Sequence, residues 1–129
     1  MNGGLLVDTH ILLWARTDPE RLTTGEQRTL VTAGLCYVSA VCLWEFAILM
    51  GRGRIEMSPG LLEVPFGFDL LPISPEHCKA LLGLPMHHRD PFDRMLVAQA
   101  QAEHLPLLTR DRAMTAYADQ ATILRFPEA

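Results

Sequence analysis

Short apolar runs alternate along the chain with longer segments in which apolar residues recur at helical spacing. The first run, Gly4–Val7, ends abruptly at Asp8 and is followed at once by the helical pattern of residues 11–14 (ILLW). A short apolar run that leads straight into a helix predicts a strand buried on both faces of a sheet. Asp8 would then lie at the carboxyl end of that strand, where open α/β folds bind their ligands. Asp is also a favoured N-cap, so on this run alone a helix cap is the simpler interpretation.

The same alternation continues to the end of the chain. Further strands are predicted over residues 36–38, 69–73, 106–109 and 122–124, and helices over residues 20–33, 40–50, from 75, 91–104 and 111–118, with a short helix and loop within 58–68. Pro72 places the strand 69–73 at a sheet edge, because proline has no N–H to donate to a neighbour. The pattern predicts a single domain over residues 1–129, of the three-layer α/β/α class, with a mainly parallel sheet of four to five strands.

Glu45 is the only polar residue in the segment 40–50 (AVCLWEFAILM). Because the segment is apolar all round, we expect this helix to be largely buried. An ionised carboxylate without a partner is costly in such surroundings, and Glu45 lies too far into the helix to cap it. We therefore expect a metal ion beside it, unless the side chain reaches solvent or pairs with an arginine such as Arg52 or Arg54.

Asp90 and Asp93 stand at the start of one predicted helix. With Pro91 between them, they occupy the N-cap and N3 positions, where both acids gain from the helix dipole. Capping alone would explain either acid. Asp90 is the better candidate for the cap, and Asp93 can point into the same crevice as Asp8.

Asp111 follows the predicted strand 106–109 as Asp8 follows the first strand. It could also cap the next helix or pair with Arg110 or Arg112. If the four acids converge, their mutual repulsion raises their pKa values unless divalent cations neutralise them. Oxygen ligands suit Mg²⁺ or Mn²⁺, and metal ions held by carboxylates recur in phosphodiester hydrolysis.

Composition narrows the class of protein. The chain is 49% hydrophobic and 20% charged, which is typical of a globular protein. Its net charge of −4 argues against a protein that coats nucleic acid through basic residues alone. There is no apolar stretch long enough for a membrane span and no secretory leader pattern, so we expect a cytoplasmic protein without membrane contact. The three cysteines lack a CxxC pairing and are expected to be free thiols.

Several short motifs stand in a specific order over residues 5–124. They are Asp8-Thr9-His10, residues 12–14 (LLW), residues 38–40 (VSA), Trp44-Glu45, residues 88–94 (HRDPFDR), residues 98–100 (AQA) and residues 108–111 (LTRD). In this order they resemble the PIN-domain ribonucleases, and more narrowly the VapC-type toxins of bacterial toxin–antitoxin pairs.

The resemblance implies a sheet in the order 3-2-1-4-5 and RNA cleavage that depends on Mg²⁺ or Mn²⁺. It also implies a small antitoxin protein as partner, and we expect a homodimer. The catalytic and metal-binding acids of the family correspond to Asp8, Glu45, Asp93 and Asp111, of which the first three are the firmer correspondence. The hydroxyl groups of Thr9 and Ser39 are expected beside the site.

Four basic side chains are candidates for RNA contact: His88, Arg52, Arg54 and Arg110. Phosphate binding commonly recruits arginine, but a solvated loop and a helix C-terminus explain these residues as well.

Two other classes of protein fit less well. An aspartate-phosphorylated phosphatase would have a second Asp where His10 stands, and a receiver domain needs a lysine after a late strand, whereas Lys79 falls within a predicted helix. A non-catalytic PIN-like module that only binds RNA or acts as a scaffold is the remaining alternative. The complete set of acids argues against it.

Overall fold

The computed structural model describes residues 4–128 as a five-stranded parallel sheet flanked by helices. The strands are β1 (Gly4–Val7), β2 (Leu35–Ser39), β3 (Phe68–Leu71), β4 (Leu107–Leu108) and β5 (Ile123–Leu124). The helices are α1 (Thr9–Thr17), α2 (Thr24–Thr32), α3 (Ala40–Gly51), α4 (Pro75–Leu82) and α5 (Pro91–Glu103), with 3₁₀ turns over Pro19–Arg21, Pro59–Leu62 and Arg112–Tyr117. None of these helices is long and apolar enough to cross a membrane.

The sheet has the order β3-β2-β1-β4-β5, which confirms the predicted fold class and strand order. β1 is central and its residues Leu5, Leu6 and Val7 are buried, as the apolar run predicted. β3 is an edge strand, as the proline that follows it indicated. Because the chain moves outward from β1 in one direction and then returns to add β4 on the other side, the switch point of the topology lies between β1 and β4. Open α/β sheets bind ligands at such a point.

Local signals in the sequence start and stop the helices next to this crevice. The Ser39 hydroxyl accepts the Val41 N–H at 3.0 Å at the start of α3, and the Asp90 carboxylate accepts the Phe92 N–H at 2.9 Å at the start of α5. α3 ends at Gly51, and the turn that follows contains Gly53, whose φ of 70° only glycine adopts without strain. These caps fix where the helices begin relative to the ends of the strands.

For the helix predicted over residues 20–33, the predicted start is wrong. A 3₁₀ turn over Pro19–Arg21 comes first, and α2 begins only after Thr23. Thr23 and Glu26 cap this helix reciprocally, each side chain bonding the other residue's backbone N–H. The helix predicted over residues 111–118 is a 3₁₀ turn rather than an α-helix.

The expectation that α3 would be largely buried is also wrong. Val41, Cys42 and Phe46 face the core, but Trp44 is 57% exposed on the opposite stripe of the helix. An apolar composition therefore does not mean a core position here, because α3 packs on its neighbours with one side only.

Candidate metal centre

Asp8 leaves the carboxyl end of β1 and is 3% exposed. It occupies the N-cap position of α1, yet its side chain makes no capping hydrogen bond. Its carboxylate instead accepts a hydrogen bond from the Thr109 hydroxyl. Burial raises the pKa of Asp8 above its ordinary value, against the opposing effect of that hydrogen bond, and the nearby charge of Asp111 raises it further. The geometry thus favours a role in the site over a cap.

Thr109 joins two of the predicted site residues and was not found from the sequence. It is fully buried at the end of β4, donates its hydroxyl to Asp8 and accepts the Asp111 backbone N–H at 3.0 Å on the same oxygen. A signal was present, since Thr109 is a hydroxyl residue between an apolar strand and an acid. The contact with Asp8 spans 101 positions, however, and depends on the pairing of β1 with β4.

Glu45 projects from the middle of α3 toward the start of α1. The Thr9 hydroxyl donates to Glu45 Oε1 at 2.9 Å, so Thr9 lies beside an acid as expected. Burial raises the pKa of Glu45, and the negative charges of Asp90 and Asp8 add to the rise. Glu45 is therefore close to the other acids of the site.

Ser39, the second predicted hydroxyl, serves the fold instead. It caps α3 and donates to Gln99 Oε1 at 2.5 Å, in a contact buried between β2 and α5. Its single hydroxyl proton is donated to Gln99, so it has no proton left to donate to the acids.

Asp93 and Asp111 meet at the ring of His88. His88 Nε2 lies 2.9 Å from Asp93 Oδ2 and 3.8 Å from Asp111 Oδ2. One ligand atom from each of the three residues lies within 4.8 Å of the other two. His88 was predicted only as an RNA contact, and its position between two acids requires the fold that brings α5 to the loop after β4.

The two acids differ in environment. Burial raises the pKa of Asp93 to about 7, and the charges of Asp8 and Asp90 contribute to the rise. Asp111 is more exposed, and its Oδ1 accepts the Ala113 N–H at 2.9 Å at the start of the last 3₁₀ turn. Asp111 thus caps the last 3₁₀ turn through Oδ1, while its Oδ2 lies near His88.

The arginines do not neutralise this cluster. Arg110 donates to both carboxylate oxygens of Glu26, at 2.9 and 2.6 Å, and its guanidinium lies 4.2 Å from the centre of the Trp14 ring. Arg52 and Arg54 lie beyond the far end of α3, about 10 Å along the helix from Glu45. Within residues 4–128, no arginine or lysine forms an ion pair with Asp8, Glu45, Asp93 or Asp111.

This donor set fits a divalent cation. Burial, together with the charges of neighbouring acids, raises the pKa values of Asp8, Glu45 and Asp93, and Asp8 is almost wholly buried, so the ionised cluster needs more positive charge than its protein neighbours supply. A cleft of about 330 Å³ opens beside it, lined by Asp8, His10, Trp14, Arg110 and Asp111. Carboxylates that converge at the edge of a cleft are the usual ligands of Mg²⁺ and Mn²⁺.

A five-stranded parallel sheet in the order 3-2-1-4-5, with acids gathered at its switch point, defines a structural class of protein. Comparison with the sequence profiles of protein families identifies that class. The PIN domain profile matches residues 5–120, so the chain belongs to the PIN-domain family.

Among individual proteins, the chain is similar to Ribonuclease VapC22 of Mycobacterium tuberculosis (strain ATCC 25618 / H37Rv), with 25% identity over 118 aligned residues. The alignment covers 88% of this chain and 91% of that protein. The fold is shared with VapBC2 from Rickettsia felis bound to a promoter DNA fragment, with a TM-score of 0.74 at 12% identity over 95% of this chain and 98% of the other. It is also shared with VapBC-5 from Mycobacterium tuberculosis, with a TM-score of 0.66 at 19% identity over 96% of this chain and 99% of the other.

Proposed function

We propose that the protein is a metal-dependent endoribonuclease that hydrolyses RNA phosphodiester bonds, and that it is the toxin of a toxin–antitoxin pair. The observation that carries the proposal is the convergence of Asp8, Glu45, Asp93 and Asp111 at the switch point of the sheet. Membership of the PIN-domain family and similarity to a VapC ribonuclease along most of the chain support the same activity.

Asp8, Glu45 and Asp93 would hold Mg²⁺ or Mn²⁺, with Asp111 as a further ligand. The bound ions would supply a hydroxide nucleophile and Lewis-acid stabilisation of the developing phosphate charge. Thr109 and Thr9 hold the carboxylates of Asp8 and Glu45 in place by donating hydrogen bonds to them. Residues that orient metal ligands in this way commonly affect metal affinity or activity by 10- to 100-fold.

The cleft beside Asp8 is where we propose that RNA binds. Its volume of about 330 Å³ is at the lower end of ordinary ligand pockets, and the rings of His10 and Trp14 give it an aromatic side. Bases of single-stranded RNA stack on exposed rings such as that of His10, whereas the Trp14 ring is already covered by the Arg110 guanidinium at 4.2 Å. Arg110 lines the cleft but is already committed to Glu26, so its contribution is a fixed positive charge rather than a mobile phosphate clamp.

A protein partner would need an apolar surface, and α3, α4 and α5 together present one. Val41, Trp44, Leu81, Phe92 and Met95 line a groove of about 230 Å³, in which the rings of Trp44 and Phe92 meet edge to face at 5.0 Å. We refer to these residues as the apolar groove. Such a surface supports a homodimer contact or an antitoxin contact. A short neighbouring gene for a DNA-binding antitoxin would support the toxin role.

The test of the activity is RNA cleavage by the purified protein with Mg²⁺ or Mn²⁺. We expect cleavage that EDTA stops and that Asp8→Asn reduces by at least about 100-fold, because the variant loses a negatively charged ligand. Asp69→Asn is the matched control, since Asp69 is an exposed acid on the edge strand β3.

Thermal unfolding of both variants would establish that they fold. An Asp8→Asn protein that still cleaves RNA at the wild-type rate would contradict the proposed site. A wild-type protein that binds RNA with either metal and never cuts it would identify the chain as a non-catalytic PIN-like module.

A further inference from the structure

The loop before α5 brings a nitrogen donor to a centre otherwise built from oxygen. We propose that His88 is a direct ligand of the bound metal and gives the centre a preference for a transition-metal dication such as Mn²⁺ over Mg²⁺. The inference rests on the proposed function, in which the acids bind metal, and adds to it a ligand and a selectivity that the acids do not supply.

The distances around His88 suit ligation. Its Nε2 lies 2.9 Å from Asp93 Oδ2 and 3.8 Å from Asp111 Oδ2. Adjacent ligand atoms of an octahedral ion with bonds of about 2.1 Å stand about 3 Å apart, and opposite ones about 4.2 Å apart. One ligand atom from each of the three residues lies within 4.8 Å of the other two, so small side-chain adjustments would bring all three to one ion without a change of fold.

The backbone of His88 is held in place by a buried anchor. Tyr117 is fully buried, and its hydroxyl oxygen accepts the His88 backbone N–H at 3.0 Å. Arg94 donates to the same hydroxyl oxygen at 3.1 Å and to the Pro85 carbonyl at 2.9 Å, which fixes the other end of the loop. A ligand is effective when its own supports are rigid, and this loop has them.

The side chain of His88 is also reachable. It is 24% exposed, compared with 16% for Asp93 and 42% for Asp111, so an ion can approach all three from solvent. His10, the other histidine near the acids, lines the cleft with Asp8 but is not part of this three-residue group.

The choice of metal follows from the donor atoms. Mg²⁺ prefers oxygen ligands and retains its water molecules, whereas transition-metal dications accept imidazole nitrogen readily. A centre with one imidazole among its carboxylates should therefore gain more affinity for Mn²⁺ than for Mg²⁺.

A different interpretation gives the same contacts in the metal-free protein. His88 could act only as a counter-charge between Asp93 and Asp111 and leave when an ion arrives. The two interpretations predict different spectra for the metal-loaded protein, because only a ligand couples its ¹⁴N nucleus directly to the Mn²⁺ electron spin.

The decisive measurement is pulsed electron paramagnetic resonance of the full-length protein loaded with Mn²⁺. We expect a directly coordinated ¹⁴N signal in the wild type that is lost in His88→Ala. The signal should persist in two control variants, His10→Ala beside the cleft and His87→Ala in the same loop. A wild type without the signal, or a His88→Ala protein that retains it, would overturn the inference.

Metal titrations of the same proteins test the selectivity. His88→Ala should weaken Mn²⁺ binding by about 10-fold or more and Mg²⁺ binding by much less. His88→Asp, which replaces nitrogen by oxygen, should narrow the preference while retaining binding. Equal losses for the two ions in His88→Ala would overturn the selectivity.

These results separate the inference from the proposed function. RNA cleavage without ¹⁴N coupling would refute the inference and leave the ribonuclease standing. Nitrogen coupling in a protein that never cuts RNA would support the ligand and refute the enzyme.

Discussion

The carboxyl group of Asp93 lies close to two other acids of the chain. The negative charges of Asp8 and Asp90 act on its carboxyl group, and His88 Nε2 lies 2.9 Å from its Oδ2. Burial and these acids raise its pKa to about 7, so near neutrality the metal-free protein is divided between two protonation states of this carboxyl. Metal binding needs the ionised form and therefore competes with a proton.

We expect metal binding to release a proton from this carboxyl below neutral pH. Because the pKa of Asp93 is about 7, the apparent affinity should fall by up to about 10-fold for each pH unit below that value. Calorimetric titration of Mn²⁺ at pH 6, in buffers of different ionisation enthalpy, counts the protons released. Asp93→Asn should release fewer, and a wild-type heat that is independent of the buffer would contradict the expectation.

The raised pKa of Asp93 weakens metal binding at low pH but stabilises the folded, metal-free protein there. A carboxyl whose pKa is higher in the folded protein than in the unfolded chain favours folding at low pH. That contribution is complete below the ordinary pKa of 3.8 and is lost as the pH rises through about 7. Bound metal neutralises the ionised carboxylate, which is the form present at high pH. The increase in the free energy of unfolding caused by Mn²⁺ should therefore be larger at pH 8 than at pH 5.

Individual residues differ in how much the sequence could reveal about them. Glu45 was identifiable because a lone carboxylate in an apolar helix requires a partner. Asp8 was ambiguous until the structure gave its hydrogen bond to Thr109 rather than to the start of α1. The roles of Thr109 and His88 depend on contacts between distant segments, which no local pattern encodes.

At the scale of elements, α2 supports the site from outside it. Glu26 on α2 is 0% exposed and holds Arg110, the residue immediately before Asp111. Burial would raise the pKa of Glu26, but the hydrogen bonds from Arg110 and from the Thr23 backbone outweigh it and keep the pKa below its ordinary value. This ion pair therefore fixes the loop after β4 at the point where the acid enters the cleft.

Removal of one partner from this pair should cost much of the stability. Arg110→Ala leaves Glu26 buried without a cation, which typically costs about 3–5 kcal/mol. Urea unfolding at pH 7 measures the loss, and Arg112→Ala, an exposed arginine two positions along, is the matched control. An Arg110→Ala protein as stable as that control would contradict the role given to the pair.

The pH dependence of this loss has a definite sign. Because the pKa of Glu26 is lowered on folding, its stabilising contribution is present above the ordinary glutamate pKa of 4.5 and is lost as the pH falls through the folded value. The difference between wild type and Arg110→Ala should therefore shrink in acid.

The start of α2 is marked in the sequence by a capping signal that the prediction of a helix from residue 20 did not use. Thr23 and Glu26 form the T-x-x-E pattern of a capping box, which marks a helix start, while the apolar spacing suggested a longer helix. Gly25 lies between them because a Cβ there would stand 2.7 Å from Phe126 Cβ. The close approach of the C-terminal segment, a tertiary contact, therefore explains why glycine occupies this position inside a helix.

At the scale of the whole molecule, the alternation of strands and helices was enough to predict the α/β class, and the resemblance to the PIN-domain ribonucleases implied the strand order. Neither indicates which surfaces remain uncovered. Trp44 has apolar neighbours in the sequence, yet it is exposed at the apolar groove. A hydrophobic pattern indicates that a side chain is more stable when it is buried. It does not indicate whether the side chain is buried by its own chain or by another one.

Substitution in the apolar groove should change the oligomeric state. We expect the wild type to be a dimer in solution and Trp44→Glu to shift it toward monomer, because a charge in the contact would be desolvated on association. Light scattering coupled to size-exclusion chromatography gives the mass. Phe66→Glu, at another exposed aromatic residue, is the matched control. Equal masses for wild type and Trp44→Glu would contradict this face as the dimer contact.

The hydrogen bond between Asp8 and Thr109 has a consequence for protein synthesis. Its partners are separated by 101 positions, and the strands that carry them, β1 and β4, pair only when both are present. During translation, the first acid emerges long before the strand that completes its surroundings. A chain still attached to the ribosome would therefore lack a formed site until β4 has left the exit tunnel, so the RNA of the translating ribosome is not exposed to the assembled nuclease while most of the chain is being made.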